Sequence, residues 1–249
     1  MKAHHLEETL RKLKLTGMLE TLDARLAQAT AGELGHVELV QSLCEDEIAR
    51  RDATGLERRL RAARFEQTFV IEDFDFAFNP KIPAAQIRDL ATLRFVEAGE
   101  SVILHGPVGV GKSMLAQALG HQACRRGHSV TFTKTSRLLA DLAGGHADRT
   151  FQARLARWAR PTVAIFDDFS MRDYTLNQAD DLYELITDRA GKPSIFTANR
   201  QVSDWYSLCR RLNPARRHRA NPRVVKRKYV RWHVKRARHR LWPQPTRPT

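Results

Sequence analysis

Leu6, Leu10, Leu13, Leu22 and Leu26 recur at helical intervals, and Leu15, Met18 and Leu19 widen the stripe. That pattern predicts one amphipathic helix over residues 6–29, ended by Thr30-Ala-Gly-Glu. A second helix is expected over 37–51, with Leu39, Val40, Leu43 and Ile48 on its apolar face, and a third over 55–65. Residues 73–80 then alternate Phe74, Phe76 and Phe78 with polar or small neighbours. Such an extended segment packs on the next domain or covers a nucleotide base, and packing is the commoner use of an aromatic stripe. Beyond residue 82 the period changes. Short apolar runs at 102–104, 130–134, 162–166 and 194–197 alternate with helical stretches at 83–97, 136–143, 149–159 and 179–189. Short apolar strands with helices between them imply an α/β fold, its parallel sheet covered on both faces. The expected organisation is a helical unit over 1–70, an α/β core over 71–208 and a tail over 209–249.

Charge changes this picture in one place. The 249 residues carry a net +14, from 42 Lys and Arg against 28 Asp and Glu. Fifteen of the cations lie in 210–249 and no acid follows Asp204, so 27 cations face all 28 acids in the rest of the chain. The body is near neutral, and an inference of nucleic-acid binding from overall basicity rests on the tail alone. Within the body, Arg50, Arg51, Arg58, Arg59, Arg61 and Arg64 crowd the second and third helices. They form either a solvated helical face or a salt-sensitive, sequence-blind contact with DNA phosphates. Cys44, Cys124 and Cys209 are odd in number and far apart, with neither a metal-site spacing nor a disulfide framework, which fits a reducing cytoplasm. No apolar run approaches the roughly 18 residues of a membrane span. The N-terminus carries acids and no apolar core, so no signal peptide is expected.

The chemistry is concentrated in Gly106-Pro-Val-Gly-Val-Gly-Lys-Ser113. Gly, four residues, then Gly-Lys-Ser is the pattern of a loop whose backbone N–H groups surround a polyphosphate. An apolar strand precedes it and a breaker-free helix beginning at Met114 follows, the context that makes a helix N-terminus bind phosphate. Gly106, Pro107, Val108, Gly109, Val110, Gly111, Lys112, Ser113 and Met114 are therefore the candidate nucleotide-binding residues. Lys112 is placed to reach the outer phosphates and the Ser113 hydroxyl to hold a magnesium ion. Val163-Ala-Ile-Phe-Asp-Asp168 delivers two carboxylates at a strand end: Asp167 to hold the metal and Asp168 to orient or deprotonate the attacking water. A tandem Asp also caps helices; the upstream loop favours the catalytic use, with the metal-holding acid expected on a strand neighbouring the loop. Asn199, after the run at 194–197, is a third strand-end polar residue within reach of a γ-phosphate, or an ordinary turn residue.

Several segments together resemble the IstB-like ATP-binding family, the helper ATPases of insertion-sequence transposition. They are Leu13-Lys-Leu-Thr-Gly-Met18, Arg58-Arg-Leu-Arg-Ala-Ala-Arg-Phe65, Phe74-Asp-Phe76, His105 to Ser113, Val163 to Asp168, Gln178-Ala-Asp-Asp-Leu-Tyr-Glu184 and Thr197-Ala-Asn-Arg200. The resemblance covers about residues 6–206. It implies an AAA+ P-loop fold of the initiator and helicase-loader clade preceded by a small all-α domain. It implies ATP rather than GTP, magnesium, homo-oligomeric assembly on duplex DNA under ATP control, and a cognate transposase as partner. It places phosphate contacts on Gly106, Gly109, Gly111, Lys112 and Ser113, the metal-holding acid on Asp167, the water-activating acid on Asp168 and the sensor on Asn199. Many AAA+ ATPases carry Glu at the position of Asp168, and a displacement near 1 Å costs about 100-fold in rate. Slow turnover, suited to a switch, is expected.

The resemblance stops after Trp205-Tyr-Ser-Leu208. The acid-free segment that follows lacks the expected closing helix, final strand and trans-acting Arg; Arg200 and Arg210 are the candidate substitutes. Residues 229–234 alternate as a strand would, but their charge argues against a buried one. The tail is either a DNA-gripping extension with Tyr229 and Trp232 available for stacking, or the product of a reading-frame slip, which the abrupt change of composition favours. Rival functions are a replicative helicase loader of the DnaC type and a non-hydrolysing DNA-binding remnant.

Overall fold

The computed structural model describes residues 2–74, 83–169, 171, 173–200 and, as backbone, 227–231. The chain divides into two compact units, residues 1–58 and 59–249. The first holds α1 (Lys2–Lys12), α2 (Thr16–Thr30) and most of α3 (His36–Ala63). The single helix expected over 6–29 is thus two. Lys14 takes a left-handed φ of 58°, and the Leu15 N–H bonds back to the Leu10 carbonyl at 2.9 Å, which closes α1. The break serves a contact. Leu15 gives the first turn of α2 no side-chain cap. The buried Glu47 carboxylate of α3 supplies one, accepting the N–H of Gly17 at 2.6 Å and of Met18 at 3.3 Å. A Cβ at Gly17 would lie 2.7 Å from Glu47 Cα, so only glycine allows this approach.

A second α2–α3 tie is the bidentate pair of Arg25 with Asp46, Nε and Nη2 each at 2.9 Å. Hydrogen bonds from Arg25 and then Thr21 hold the Asp46 carboxyl down at about 2, with burial opposing. A carboxyl depressed on folding contributes stability above its unfolded pKa of about 4 and loses it as pH falls through the folded value. Asp46→Asn is therefore expected to unfold more easily than the parent at pH 7, the difference vanishing near pH 2. Denaturant titrations followed by circular dichroism check this; an equal difference at both pH values would count against the pair.

Two helices were also expected over 37–65, and one is found. Gly55 costs about 1 kcal/mol relative to Ala in a helix interior. The helix formers on either side outweigh that, and α3 ends only where Arg64 turns left-handed at φ 59°.

After the end of α3, the second unit continues with a 3₁₀ turn at Ile71–Asp73, α4 (Ala84–Ala91) and α5 (Arg94–Glu97). The helix expected over 83–97 is broken at Leu93, φ 61°. Then follow β1 (Ser101–His105), α6 (Lys112–Arg125), β2 (Val130–Lys134), α7 (Thr135–Asp148), α8 (Phe151–Ala159), β3 (Val163–Asp167), α9 (Leu176–Asp188), β4 (Ser194–Ala198) and β5 (Arg227–Arg231). The sheet has the order β2-β3-β4-β1-β5 and every pair is parallel. Alternation assigns its faces. Ile165 faces α6, where a Cβ on Gly120 would meet Ile165 Cδ1 at 2.6 Å. Ala164 and Phe166 face the opposite layer, where Leu138 and Leu142 of α7, Leu155 of α8 and Leu182 and Leu185 of α9 form the core with Phe196. Helix α9 starts with a capping box, Thr175 and Gln178 bonding each other's backbone N–H.

The tail was expected to be irregular, yet residues 227–231 pair along β1, with Tyr229 opposite Ile103. An edge strand is paired on one side only, and Lys and Arg commonly guard such edges, so charge does not exclude it. Trp232, Arg210, Phe76 and Phe78 lie outside the described residues; Phe74 is buried.

Arg189 pins the end of the sheet remote from the candidate site. Only 3% exposed, it donates to Ser194 Oγ at 3.0 Å and to the carbonyls of Trp158, Ala159, Pro161, Thr162 and Pro193 at 3.3, 3.2, 2.9, 3.4 and 2.7 Å. All six acceptors are neutral, and burial pulls its pKa down to about 10. Arg189→Ala strands several carbonyls at once, each costing about 1–3 kcal/mol, so a loss of about 3–5 kcal/mol is expected. That corresponds to a melting temperature lower by about 10 °C. An unchanged melting curve would contradict this structural role.

Candidate nucleotide-binding site

Parallel strands place their C-terminal ends along one edge. The 106–111 loop leaves β1 there, Lys134 ends β2, Asp167 ends β3, and Asn199 follows β4. The chain crosses from β1 to the far edge, returns through β3 and β4, and places β5 on the other side of β1. Open α/β sheets bind ligands at the C-terminal edge where the strand order reverses in this way.

The loop is tied to β4 by the Gly106 N–H, which donates to the Ala198 carbonyl at 3.1 Å. Gly109 and Gly111 hold φ of 82° and 84°, which a side chain would strain. Gly111 is also the N-cap of α6 and brings no side chain to its first turn, so that turn's N–H groups remain for an anion. Lys112 is 7% exposed, and its Nζ donates to the Pro107 carbonyl at 2.7 Å. Burial lowers its pKa to about 8, with Asp168 and Asp167 pulling the other way. A desolvated ammonium held by one carbonyl gains strongly when phosphate oxygens replace that partner.

The two carboxylates are set differently. Asp167 is 2% exposed and accepts the Thr197 hydroxyl at 2.5 Å on Oδ1. Its carbonyl accepts the Thr135 hydroxyl at 2.8 Å. The same Thr197 Oγ1 accepts the Asp168 N–H at 2.9 Å, so one buried threonine fixes both residues. Asp168 turns out of the strand with φ 55°, a conformation Asp tolerates better than most residues. Burial, then the neighbouring Asp167, raises its pKa; Lys134 and Lys112 oppose the shift and Glu66 adds to it. A carboxylate with raised proton affinity and an open side suits a general base.

The acid-bearing strand is not the loop strand's neighbour, as the sequence led us to expect. Strand β4 lies between β1 and β3, and its Thr197 bridges the gap. Two strand spacings, about 10 Å, separate loop and acids, which leaves room for a phosphate and its metal. Thr197 appeared in the sequence only as part of a matching segment; its signal was a polar residue inside an otherwise apolar strand. Asn199 donates to Met171 Sδ at 2.7 Å, and Arg200 pairs with Asp173 at 2.9 Å, so both candidate helpers are engaged within the chain.

The six arginines do not behave alike. Arg50 pairs with Glu20 at 2.9 Å and Arg51 with Glu47 at 2.6 Å, while Arg59 donates to the Cys124 carbonyl at 2.9 Å. Arg51, Arg58, Arg61 and Arg64 are exposed, and Arg50 and Arg59 are half-buried.

The oxygen donors Ser113, Asp167 and Asp168 are hard ligands of the kind magnesium takes. Among the described residues no group of three or more His, Cys, Asp or Glu forms a metal cage. A magnesium ion here would rely on nucleotide and water oxygens for the rest of its shell.

Residues 8–211 match the model of the IstB-like ATP binding protein family. The chain belongs to the IstB-like ATP-binding protein family. A relative from Mycobacterium tuberculosis, described as an ATP-binding protein in an insertion sequence, is 61% identical over 205 residues, 82% of each chain. The insertion sequence IS21 ATP-binding protein of Pseudomonas aeruginosa is 36% identical over 203 residues, 81% of this chain and 77% of that one. Among solved structures, the DnaC helicase loader aligns with a TM-score of 0.51 at 20% identity, over 71% of this chain and 99% of that one. AMPPCP-bound DnaA from Aquifex aeolicus aligns with a TM-score of 0.54 at 14% identity, over 69% and 52%. These likenesses establish an AAA+ P-loop fold, and the family establishes an ATP-binding protein associated with insertion sequences. The family match ends beside the change of composition after Leu208. Among the described residues no helix is long and apolar enough to cross a membrane.

Proposed function

We propose that this IstB-like protein is a magnesium-dependent ATPase that acts as a switch in insertion-sequence transposition. ATP binding favours an oligomer on duplex DNA, and hydrolysis or contact with a cognate transposase resets it. One observation carries this reading: a phosphate loop and a differentiated carboxylate pair share the sheet edge, with Thr197 fixing Asp167 inward and Asp168 outward. Lys112 and the N–H groups at the start of α6 bind and orient the polyphosphate. Ser113 and Asp167 would hold magnesium, which neutralises charge on the phosphates when bound. Asp168 takes the proton of the attacking water. Asn199 must leave Met171 to sense the γ-phosphate. Arg50, Arg51, Arg58, Arg59, Arg61 and Arg64 are the proposed DNA contacts. Turnover is slow, because Asp168 stands where many AAA+ ATPases carry the longer Glu and Arg200 is engaged by Asp173. Steady-state phosphate release tests the reading. Release that depends on magnesium and rises with duplex DNA is expected; none in either condition would favour the rival reading, a non-hydrolysing DNA-binding remnant.

A further inference from the structure

Where α3 gives way to the core, the chain runs along the helix that follows the phosphate loop. Phe65 packs so closely on α6 that a Cβ at Gly120 would lie 2.9 Å from its ring. One turn nearer the loop is Gln117, 4% exposed. Its Oε1 accepts the N–H groups of Glu66 at 2.9 Å and Gln67 at 3.2 Å. Its Nε2 donates to the carbonyl of Ser113, the last residue of the phosphate loop, at 3.3 Å. A single buried amide therefore joins the exit of α3 to the phosphate-binding turn. Glutamine suits the place because it accepts and donates at once. The bonds to Glu66 and Gln67 are partly buried, so two N–H groups that lose a shared acceptor there carry a cost and the joint holds together. A second tether lies alongside: the Glu66 carboxylate pairs with Lys134 at 3.3 Å and Arg137 at 3.4 Å, and Lys134 stands opposite Asp167 in the sheet register.

We propose that Gln117 is a positioning residue that couples the phosphate-binding turn to residues 65–67 and so to the C-terminal end of α3. The inference rests on the nucleotide-binding role of the loop. Phosphate that orders Lys112 and Ser113 also orders the Ser113 carbonyl, and with it the amide that grips the exit segment. Coupling is reciprocal, so whatever α3 binds alters nucleotide affinity by the same factor.

Amide hydrogen exchange on the full chain tests this, with a non-hydrolysable ATP analogue and magnesium as probe and nucleotide affinity measured on the same samples. In the parent protein, saturating analogue is expected to slow exchange at Glu66 and Gln67 by about 5- to 100-fold, the usual range of such couplings. Gln117→Met removes both halves of the joint: exchange at 66–67 is fast with or without analogue, and affinity for the analogue falls by the same factor of about 5- to 100-fold. Gln117→Glu keeps the acceptor and loses the donor, so basal protection persists but its response to nucleotide disappears. A purely structural glutamine would not separate these two variants. Exchange at 66–67 that ignores bound analogue in the parent, or a Gln117→Met protein with parental exchange, overturns the proposal. A parent that binds no nucleotide contradicts the functional reading instead, and the nucleotide-free comparison of parent with Gln117→Met still decides whether the joint exists.

Discussion

Lys112→Ala is expected to weaken ATP binding by about 30- to 1,000-fold, the effect of truncating one member of a desolvated charge pair. The ammonium is buried, donates to the Pro107 carbonyl at 2.7 Å, and has its pKa lowered by burial to about 8 against the pull of Asp168 and Asp167. Its desolvation is already met by the fold, so the gain on meeting phosphate is realised nearly in full. The same facts set the stability of the variant. Removing a poorly compensated buried cation does not destabilise the fold, and the melting temperature is expected to stay level or rise. Titration with a fluorescent ATP analogue, paired with a melting curve, gives both numbers. Parental affinity in Lys112→Ala would mean that the loop does not bind phosphate as described.

Asp168→Asn is expected to lower turnover by about 10²- to 10⁴-fold, the usual worth of a positioned general base, with nucleotide affinity changed by no more than a few-fold. The separation follows from the different setting of the two acids. Asp167 is locked inward by Thr197, whereas Asp168 leaves the strand with a left-handed backbone and a raised pKa. Asp167→Asn should therefore weaken the response to magnesium as well as turnover, because it changes the metal-holding donor. Phosphate release at saturating ATP across a magnesium series distinguishes the variants. If both behave alike, the two carboxylates do not have separate roles.

Much of the core was legible because its signals are local. The run Val130–Lys134 reads as a strand and is one, and the Gly106–Ser113 loop sits between strand and helix as its spacing requires. The boundaries in the helical unit were not legible. The stripe from Leu6 to Leu26 is continuous, and the break at Lys14 is imposed by Glu47, some thirty residues away, reaching the N–H groups of Gly17 and Met18. Conversely, Gly55 looked like a break and is none, because one glycine cannot outweigh the flanking helix formers. In the site, sequence named the charged residues but not the neutral ones that position them. Thr197 and Thr135 act by burial and by bonds between elements, Gln117 by a buried amide, and none of the three has a periodic signature. The order of the sheet is likewise non-local, which is why β4 came to lie where β3 was expected. The arginine cluster shows the same limit: its composition suggested one face, but Arg50, Arg51 and Arg59 already have partners.

The central claim is that ATP binding controls association with DNA, and duplex-DNA affinity with and without nucleotide tests it most directly. Fluorescence anisotropy of a labelled duplex, at one fixed salt concentration, is expected to show binding tightened about 5- to 150-fold by a non-hydrolysable ATP analogue with magnesium. Lys112→Ala should abolish that gain while keeping the weaker, nucleotide-independent binding. Identical DNA affinity in the presence and absence of saturating analogue would contradict the claim.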